Sequence, residues 1–526
     1  MNQKNKKILV VGFLDGWGVG DREEGNLLYE ANTFNFDNFL REYPAMSLIA
    51  TGSKVGLSEW EKSNAKSSYL NIGAGRVVEQ GAQRIKKYLE DKKIFENKVF
   101  FDTFLQTKNK SGNLHLVGTL SSNDDNNTQK NFLEFSRYAE AQNIKVFLHL
   151  VLDGKSTAKN IALDLLTSLQ DELHNFSNTK IASICGSFFA KDSTFHWDRT
   201  RVACELFTQS KGQVVPDFLL ALQDFYDKKI YDEKIPPLLS KQQDVILKSE
   251  DLVLFLDHEG TSFRQLIKSL IFDNFYKFPR REKINSQVLT MTEYEKDLPI
   301  DFLFGKNIMH NTLGEVLNSE DKKIIKISSP DKYVFLTSYL NAGQEGIFSN
   351  EEDIMVAPKN DYSADSKFFS VENDIKNISK TVIKYIEKKE HDVILFNFSG
   401  LEKLLKYSKR EEVLSACELI DKKLKKISEY VLAGQGTLVL LGTYPALEHD
   451  PEGINIEVNK NPIPMIIIDE SLRGRSVLNF DPPGGDLSLT KPLGSLSDVA
   501  TTLLGLLNIE KPTDMTGKDM LSNINN

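Results

Sequence analysis

Short β-branched apolar runs alternate with longer amphipathic stretches from one end of the chain to the other. The runs predict strands at 6–14 (KKILVVGFL), 145–153 (KVFLHLVLD), 180–186 (KIASICG), 251–257 (DLVLFLD), 332–340 (KYVFLTSYL), 392–398 (DVILFNF), 436–442 (GTLVLLG) and 464–470 (PMIIIDE). Between Asp392 and Glu470 the order is strand, helix, strand, loop, strand. In that helix Val413, Cys417, Ile420, Leu424, Ile427 and Val431 recur at spacings of four and three and form one apolar stripe, which Ala433-Gly434 ends. This rhythm predicts an α/β protein with a mainly parallel sheet flanked by helices.

Length and composition narrow the class. The 526 residues are enough for two or three domains, and 40% hydrophobic with 26% charged residues is ordinary for a globular protein. A net charge of -9 argues against nucleic acid as the main partner. The basic run Lys422–Lys426 falls within a helical pattern and reads as a solvated face. No apolar run is long enough to predict membrane insertion. The basic-then-apolar start leads directly into DGWG and reads as a buried first strand rather than an export signal. Cys185, Cys204 and Cys417 are scattered and odd in number, which suits unpaired thiols in a reducing cytoplasm. A hinge just after GAGRVVEQGAQ, near residue 82, and another at DLPIDFLFGKN (297–307), with its proline and its change from helical to extended pattern, suggest two domain boundaries, with 83–300 inserted between 1–82 and 301–526.

The stretch SNAKSSYLNIGAGRVVEQ (63–80) joins a polar half to a half rich in small, turn-forming residues. Together with LDGWG (14–18), YPAMSLIATGSKVGL (43–57), VLDGKST (151–157), IASICGSFFAKD (181–192), MTEYEKDLP (291–299), NTLGEVL (311–317), NPIPMI (461–466) and DMTGKDML (514–521), it resembles cofactor-independent phosphoglycerate mutase, of the alkaline phosphatase superfamily. The segments run in one order over essentially the whole chain.

The resemblance implies an alkaline-phosphatase-like domain built from 1–82 plus 301–526, with a serine nucleophile and two metals, usually manganese. It also implies an inserted α/β transferase-like domain, 83–300, that holds the phosphoglycerate. In active members the serine takes the phosphoryl group from one hydroxyl and returns it to the other, with the metals stabilising the charge.

Position by position, the chemistry is missing. The nucleophile of the family's GNSEVGH falls on Ala65, which has no nucleophilic atom. Asp15 keeps its metal position, while the other ligands fall on Glu402, Lys406, Thr443, Tyr444 and Val458. Of these only Glu402 is a plausible replacement ligand. A lysine ammonium such as that of Lys406, about 4 Å from a dication, would repel it by roughly 8 kcal/mol at an effective dielectric near 20. In the substrate pocket the histidines of GGVHSH fall on Asn126 and Thr128, and the DGRD pair on Lys155 and Ser156. The arginines of GRYYAMDR fall on Ser187 and Ser193, and those of NFRADR on Glu259 and Ser262. Arginine forks suit phosphate and carboxylate recognition, and Glu259 puts a negative charge where an anion should sit. Lys332 matches a family lysine and, like Lys155, reads as either an anion contact or a surface lysine.

The sequence therefore predicts a non-catalytic, phosphoglycerate-mutase-like subunit of a larger cytoplasmic assembly, without cofactor. Its partners would be other proteins, not nucleic acid. The helix 411–432 and the acidic segment 343–353 are candidate contact surfaces. One alternative is a diverged mutase whose nucleophile has moved to Ser63, Ser67 or Ser68, with Asp15, Glu402 and the Glu448–Asp450 cluster (including His449) building the centre. A second is an anion sensor using Lys155 and Lys332.

Overall fold

The computed structural model describes residues 7–57, 63–79, 81–122, 128–154, 157–241, 247–258, 260–280, 283–296, 298–305, 309–344, 348–356, 367–407, 409–446, 460–477 and 483–524. The side chains of 81, 82, 260–262, 367–370, 403, 406, 407 and 483 are excepted. The chain forms two compact units, Met1–Gln83 with Asn307–Asn526, and Arg84–Lys306. Among the described residues no helix is long and apolar enough to cross a membrane.

The first unit is built on an eight-stranded sheet. Its order is Glu351–Met355, Ile324–Ser328, Val393–Phe398, Leu9–Gly16, Thr437–Pro445, Ile463–Ile468, Ala45–Ile49 and Gly494–Ser495. Only Ile463–Ile468 runs antiparallel to its neighbours. Leu9–Gly16 is buried at every position, as expected for a central parallel strand covered on both faces. Its side chains alternate. Val10 and Leu14 pack with the helices Lys367–Lys388 and Arg410–Ala433. Leu9, Val11 and Phe13 pack on the opposite face with Tyr69, Ile72, Leu336 and Leu503. All six residues of the predicted stripe on Arg410–Ala433 are buried.

The second unit holds another eight-stranded sheet. Its order is Asp301–Phe304, Gln287–Thr292, Leu252–Phe255, Leu114–Leu120, Val146–Leu152, Thr179–Gly186, Leu238–Ser240 and Gln213–Val215. The first six strands are parallel, and Leu238–Ser240 then runs antiparallel to Thr179–Gly186. The α/β class with mainly parallel, helix-flanked sheets is as the sequence predicts.

Two expectations are corrected. The boundary after Pro299 lies later than 300, because Asp301–Phe304 pairs with Gln287–Thr292 and belongs to the inserted unit. The run 332–340 is not a strand. It forms a 3-10 turn, Pro330–Lys332, and a π-helical turn, Phe335–Tyr339. Phe335 and Tyr339, four apart, meet at 5.2 Å with their rings tilted, and Phe335 also meets Tyr69 at 6.0 Å.

Candidate functional site

Parallel α/β sheets present their chemistry at the carboxyl ends of the strands. In the first unit, Asp15 ends the central strand Leu9–Gly16. Thr443 and Tyr444 end its neighbour Thr437–Pro445. Glu402 lies in the helix Leu401–Tyr407 that follows Val393–Phe398, and Lys332 in the turn that follows Ile324–Ser328. Five positions scattered over more than 400 residues thus meet at one edge. The sequence reading allowed Lys332 to be a surface lysine. It is instead 5% exposed.

The groups satisfy one another. Thr443 donates its hydroxyl to Asp15 Oδ1 at 2.7 Å, and Tyr69 donates to the same oxygen at 3.1 Å. The Lys332 ammonium lies 2.8 Å from Glu402 Oε1 and 3.7 Å from Asp15 Oδ2. It also donates to the Tyr444 hydroxyl at 3.2 Å, and Tyr444 donates in turn to Glu402 Oε2. Burial raises the Asp15 carboxyl, against the opposing pull of Lys332 and the Thr443 hydrogen bond. Burial, and then the nearby Asp15 charge, holds the Tyr69 and Tyr444 phenols well above their ordinary range, so both remain donors.

This donor set does not fit a pair of dications. Carboxylates and imidazoles hold manganese-type ions, whereas here a threonine and a tyrosine bond to the two remaining carboxylates and an ammonium lies between them. Among the described residues no group of three or more His, Cys, Asp or Glu side chains is arranged to hold a metal. Lys406 lies in the helix Leu401–Tyr407, but its side chain falls outside the described residues. Val458 and the Glu448–Asp450 cluster also fall outside them.

Ala65 is the first residue of the helix Ala65–Ala74. Asn64 caps that helix, its side chain accepting from Ser67 N at 2.8 Å. Two of the three neighbouring serines are committed to the backbone. Ser67 Oγ donates to the Val55 carbonyl at 3.3 Å and Ser68 Oγ to that of Asn64 at 3.0 Å. Ser63 is buried, and its hydroxyl has no hydrogen-bond partner among the described residues.

In the second unit Ser187 is buried and donates to the Asp153 carbonyl at 2.7 Å, while Ser193 is exposed. Thr128 is buried and donates to the Thr119 carbonyl at 2.9 Å. Asn126, Lys155, Ser156 and Glu259 lie outside the described residues, as does the Ser262 side chain in the helix Gly260–Ile271. The structure adds a cation that the sequence reading missed, Lys191, but Asp257 holds it at 2.7 Å. Lys191 and Lys332 are therefore each paired with a carboxylate rather than presented to an anion.

A buried polar row also escaped the sequence reading. Asp251, His115, His149 and Ser183 come from four adjacent positions across the sheet. His115 Nε2 meets Asp251 Oδ2 at 3.2 Å, His115 Nδ1 meets His149 Nε2 at 3.0 Å, and His149 Nδ1 meets Ser183 Oγ at 2.8 Å. With one proton on each ring, every donor points toward Asp251 and every partner is satisfied. Burial, and then His115, pushes His149 well below its ordinary value. The unfolded chain therefore binds more protons at this residue, so its contribution to stability is full above about pH 6.5 and falls on acidification. The slope from this group is up to about 1.4 kcal/mol per pH unit. Thermal unfolding midpoints are expected to fall as pH drops below about 6.5, and His149→Gln is expected to flatten that part of the profile.

Comparison with known proteins bears on both units. Residues 85–296 match the family model described as the BPG-independent PGAM N-terminus. The 2,3-bisphosphoglycerate-independent phosphoglycerate mutase of Legionella pneumophila strain Philadelphia 1 is 30% identical over 520 residues, covering 98% of this chain and 98% of that protein. The chain belongs to the 2,3-bisphosphoglycerate-independent phosphoglycerate mutase family. Its namesakes from Acetivibrio thermocellus and Methanosarcina acetivorans are 27% and 28% identical over 98% and 99% of this chain. A crystal structure of Leishmania mexicana phosphoglycerate mutase at low cobalt concentration shares the fold. Its TM-score is 0.62 at 19% identity, over 99% of this chain and 98% of that one.

Proposed function

We propose that this chain is a non-catalytic member of the family, retained as a structural or interaction subunit of a larger cytoplasmic protein assembly. The observation that carries the reading is that Thr443 and Tyr444, where the family pattern calls for metal ligands, instead donate their hydroxyls to Asp15 and Glu402. Ala65 supplies no oxygen to receive a phosphoryl group, and the two serines nearest it in the same helix are turned to backbone carbonyls. A soluble body of this size without a reaction acts through its surfaces. Of the two candidate surfaces, the segment 343–353 is the weaker, because Glu351 is buried and paired with Lys326 at 2.8 Å. The helix Arg410–Ala433 keeps a polar outer face.

The test is metal analysis of the purified protein together with a mutase assay in added manganese. The expected result is no stoichiometric metal and no interconversion of 2- and 3-phosphoglycerate. Tight metal with turnover would overturn it.

Full-length similarity to enzymes favours a second reading, a diverged mutase with a relocated nucleophile. Ser63 is the serine that suits it, being buried with a hydroxyl that no described residue bonds. On that reading Ser63→Ala abolishes a measurable activity, whereas Ser67→Ala and Ser68→Ala leave it largely intact.

A further inference from the structure

In the second unit, Phe195 has a backbone φ of +66° and a side chain 64% exposed. A bulky residue in the left-handed region is strained, and such strain persists only where its surroundings impose it. Here the buried Asp192 imposes it. Its Oδ1 accepts from the backbone N–H of both Thr194 and His196 at 3.0 Å, and its Oδ2 holds Arg199 at 3.1 Å. The loop therefore keeps a large aromatic ring in water at a cost on both backbone and side chain, its ring neighbour being Trp197 at 6.3 Å.

Around that ring the surface is aromatic and cationic. Trp197 meets Phe275 at 5.5 Å, and Tyr276 beside it is 81% exposed. Lys277 lies over the Tyr276 ring at 4.5 Å and the Trp197 ring at 5.9 Å, and Arg280 over Phe275 at 5.5 Å. Of the carboxylates in these segments, Asp273 is paired with Lys283, Asp192 with Arg199, and Asp198 is exposed. The patch is thus positive on a chain whose net charge is negative.

We propose that this surface docks a protein segment in which acidic residues flank an apolar anchor, with Phe195 as its central contact. The proposal rests on the reading of the chain as an interaction subunit. Charge complementarity selects acidic residues for Lys277 and Arg280, and the Phe195 ring selects an aliphatic or proline anchor. Single-stranded nucleic acid also favours aromatic and basic surfaces, but it stacks bases on open ring faces. On this patch cations already lie over Tyr276, Trp197 and Phe275.

The test uses the full chain and a fluorescent synthetic peptide in which glutamate alternates with leucine and proline, titrated by anisotropy. Binding that weakens with added salt is expected, and Phe195→Gly is expected to weaken it about tenfold. Glycine suits the positive φ, so the thermal midpoint of that variant should be unchanged or raised. Lys277→Glu is expected to weaken binding as well. No binding, equal binding by wild type and Phe195→Gly, or preference for a single-stranded oligonucleotide would overturn the proposal. Turnover with manganese would instead overturn the non-catalytic reading, and it is read in a separate assay.

Discussion

Lys332→Met is expected to destabilise the first unit by about 3–5 kcal/mol, because it leaves Asp15 as a buried, unpaired carboxylate. Asp15 is 1% exposed and keeps only the hydroxyl donors Thr443 and Tyr69, both on Oδ1. Its Oδ2 has the ammonium as its charged neighbour and no hydrogen bond of its own. Glu402 is more exposed and regains water when the lysine is lost, so most of the effect belongs to Asp15. Urea unfolding of the wild type, Lys332→Met and the double variant Asp15→Asn/Lys332→Met separates the two. The double variant is expected to recover most of the loss, since an amide keeps an acceptor for Thr443 without the charge. An equal deficit in the double variant would show that Lys332 acts by packing, through its contact with the Phe335 ring at 4.8 Å. The sign of the pH dependence follows from the raised Asp15 carboxyl. The folded state holds its proton more tightly than the unfolded state, so ionising Asp15 costs stability as pH rises through the folded value. Without Lys332 that cost grows, and the deficit of the single variant is expected to be larger near neutral pH than in acid.

What the sequence made legible followed from local pattern. The run LVVGFLDG is continuous and apolar because its strand is buried on both faces, and the stripe from Val413 to Val431 marks one buried helix face. What it left hidden depends on which distant segments meet. KYVFLTSYL alternates well enough to read as a strand, yet Phe335, Leu336 and Leu340 are drawn into a helical turn by packing around Tyr69. Lys332 is buried by residues 15, 402 and 444, none near it in sequence. The His115–His149 pair did leave a signal. Each histidine interrupts an otherwise apolar strand, LHLVGTL and VFLHLVL, and a polar group on a buried strand requires a partner. At the candidate site the sequence singled out Asp15, Lys332, Glu402, Thr443 and Tyr444 one at a time. It did not show that they bond to one another.

Gly73→Ala is expected to cost about 3 kcal/mol or more and to lower the thermal unfolding midpoint sharply. A Cβ at residue 73 would lie 1.7 Å from the Leu340 carbonyl oxygen and 2.6 Å from its carbon. These are backbone atoms, so no side-chain rotation relieves the clash, and the helix Ala65–Ala74 must separate from the segment that ends at Leu340. The helix carries Tyr69, which donates to Asp15, and the segment begins a few residues after Lys332. The close approach at Gly73 therefore holds together the two elements that present Tyr69 and Lys332. This gives a physical reason for the contrast within SNAKSSYLNIGAGRVVEQ. Ala65, at the first position of its helix, is only half-buried. Ala65→Ser is accordingly expected to leave stability within about 0.5 kcal/mol of the parent. With Thr443 and Tyr444 still bonded to Asp15 and Glu402, it is expected to produce no turnover in added manganese. Turnover by Ala65→Ser would mean that the edge still accepts its metals and that a single missing oxygen had silenced it. A near-neutral Gly73→Ala would mean that the small residues after position 70 are not retained for packing.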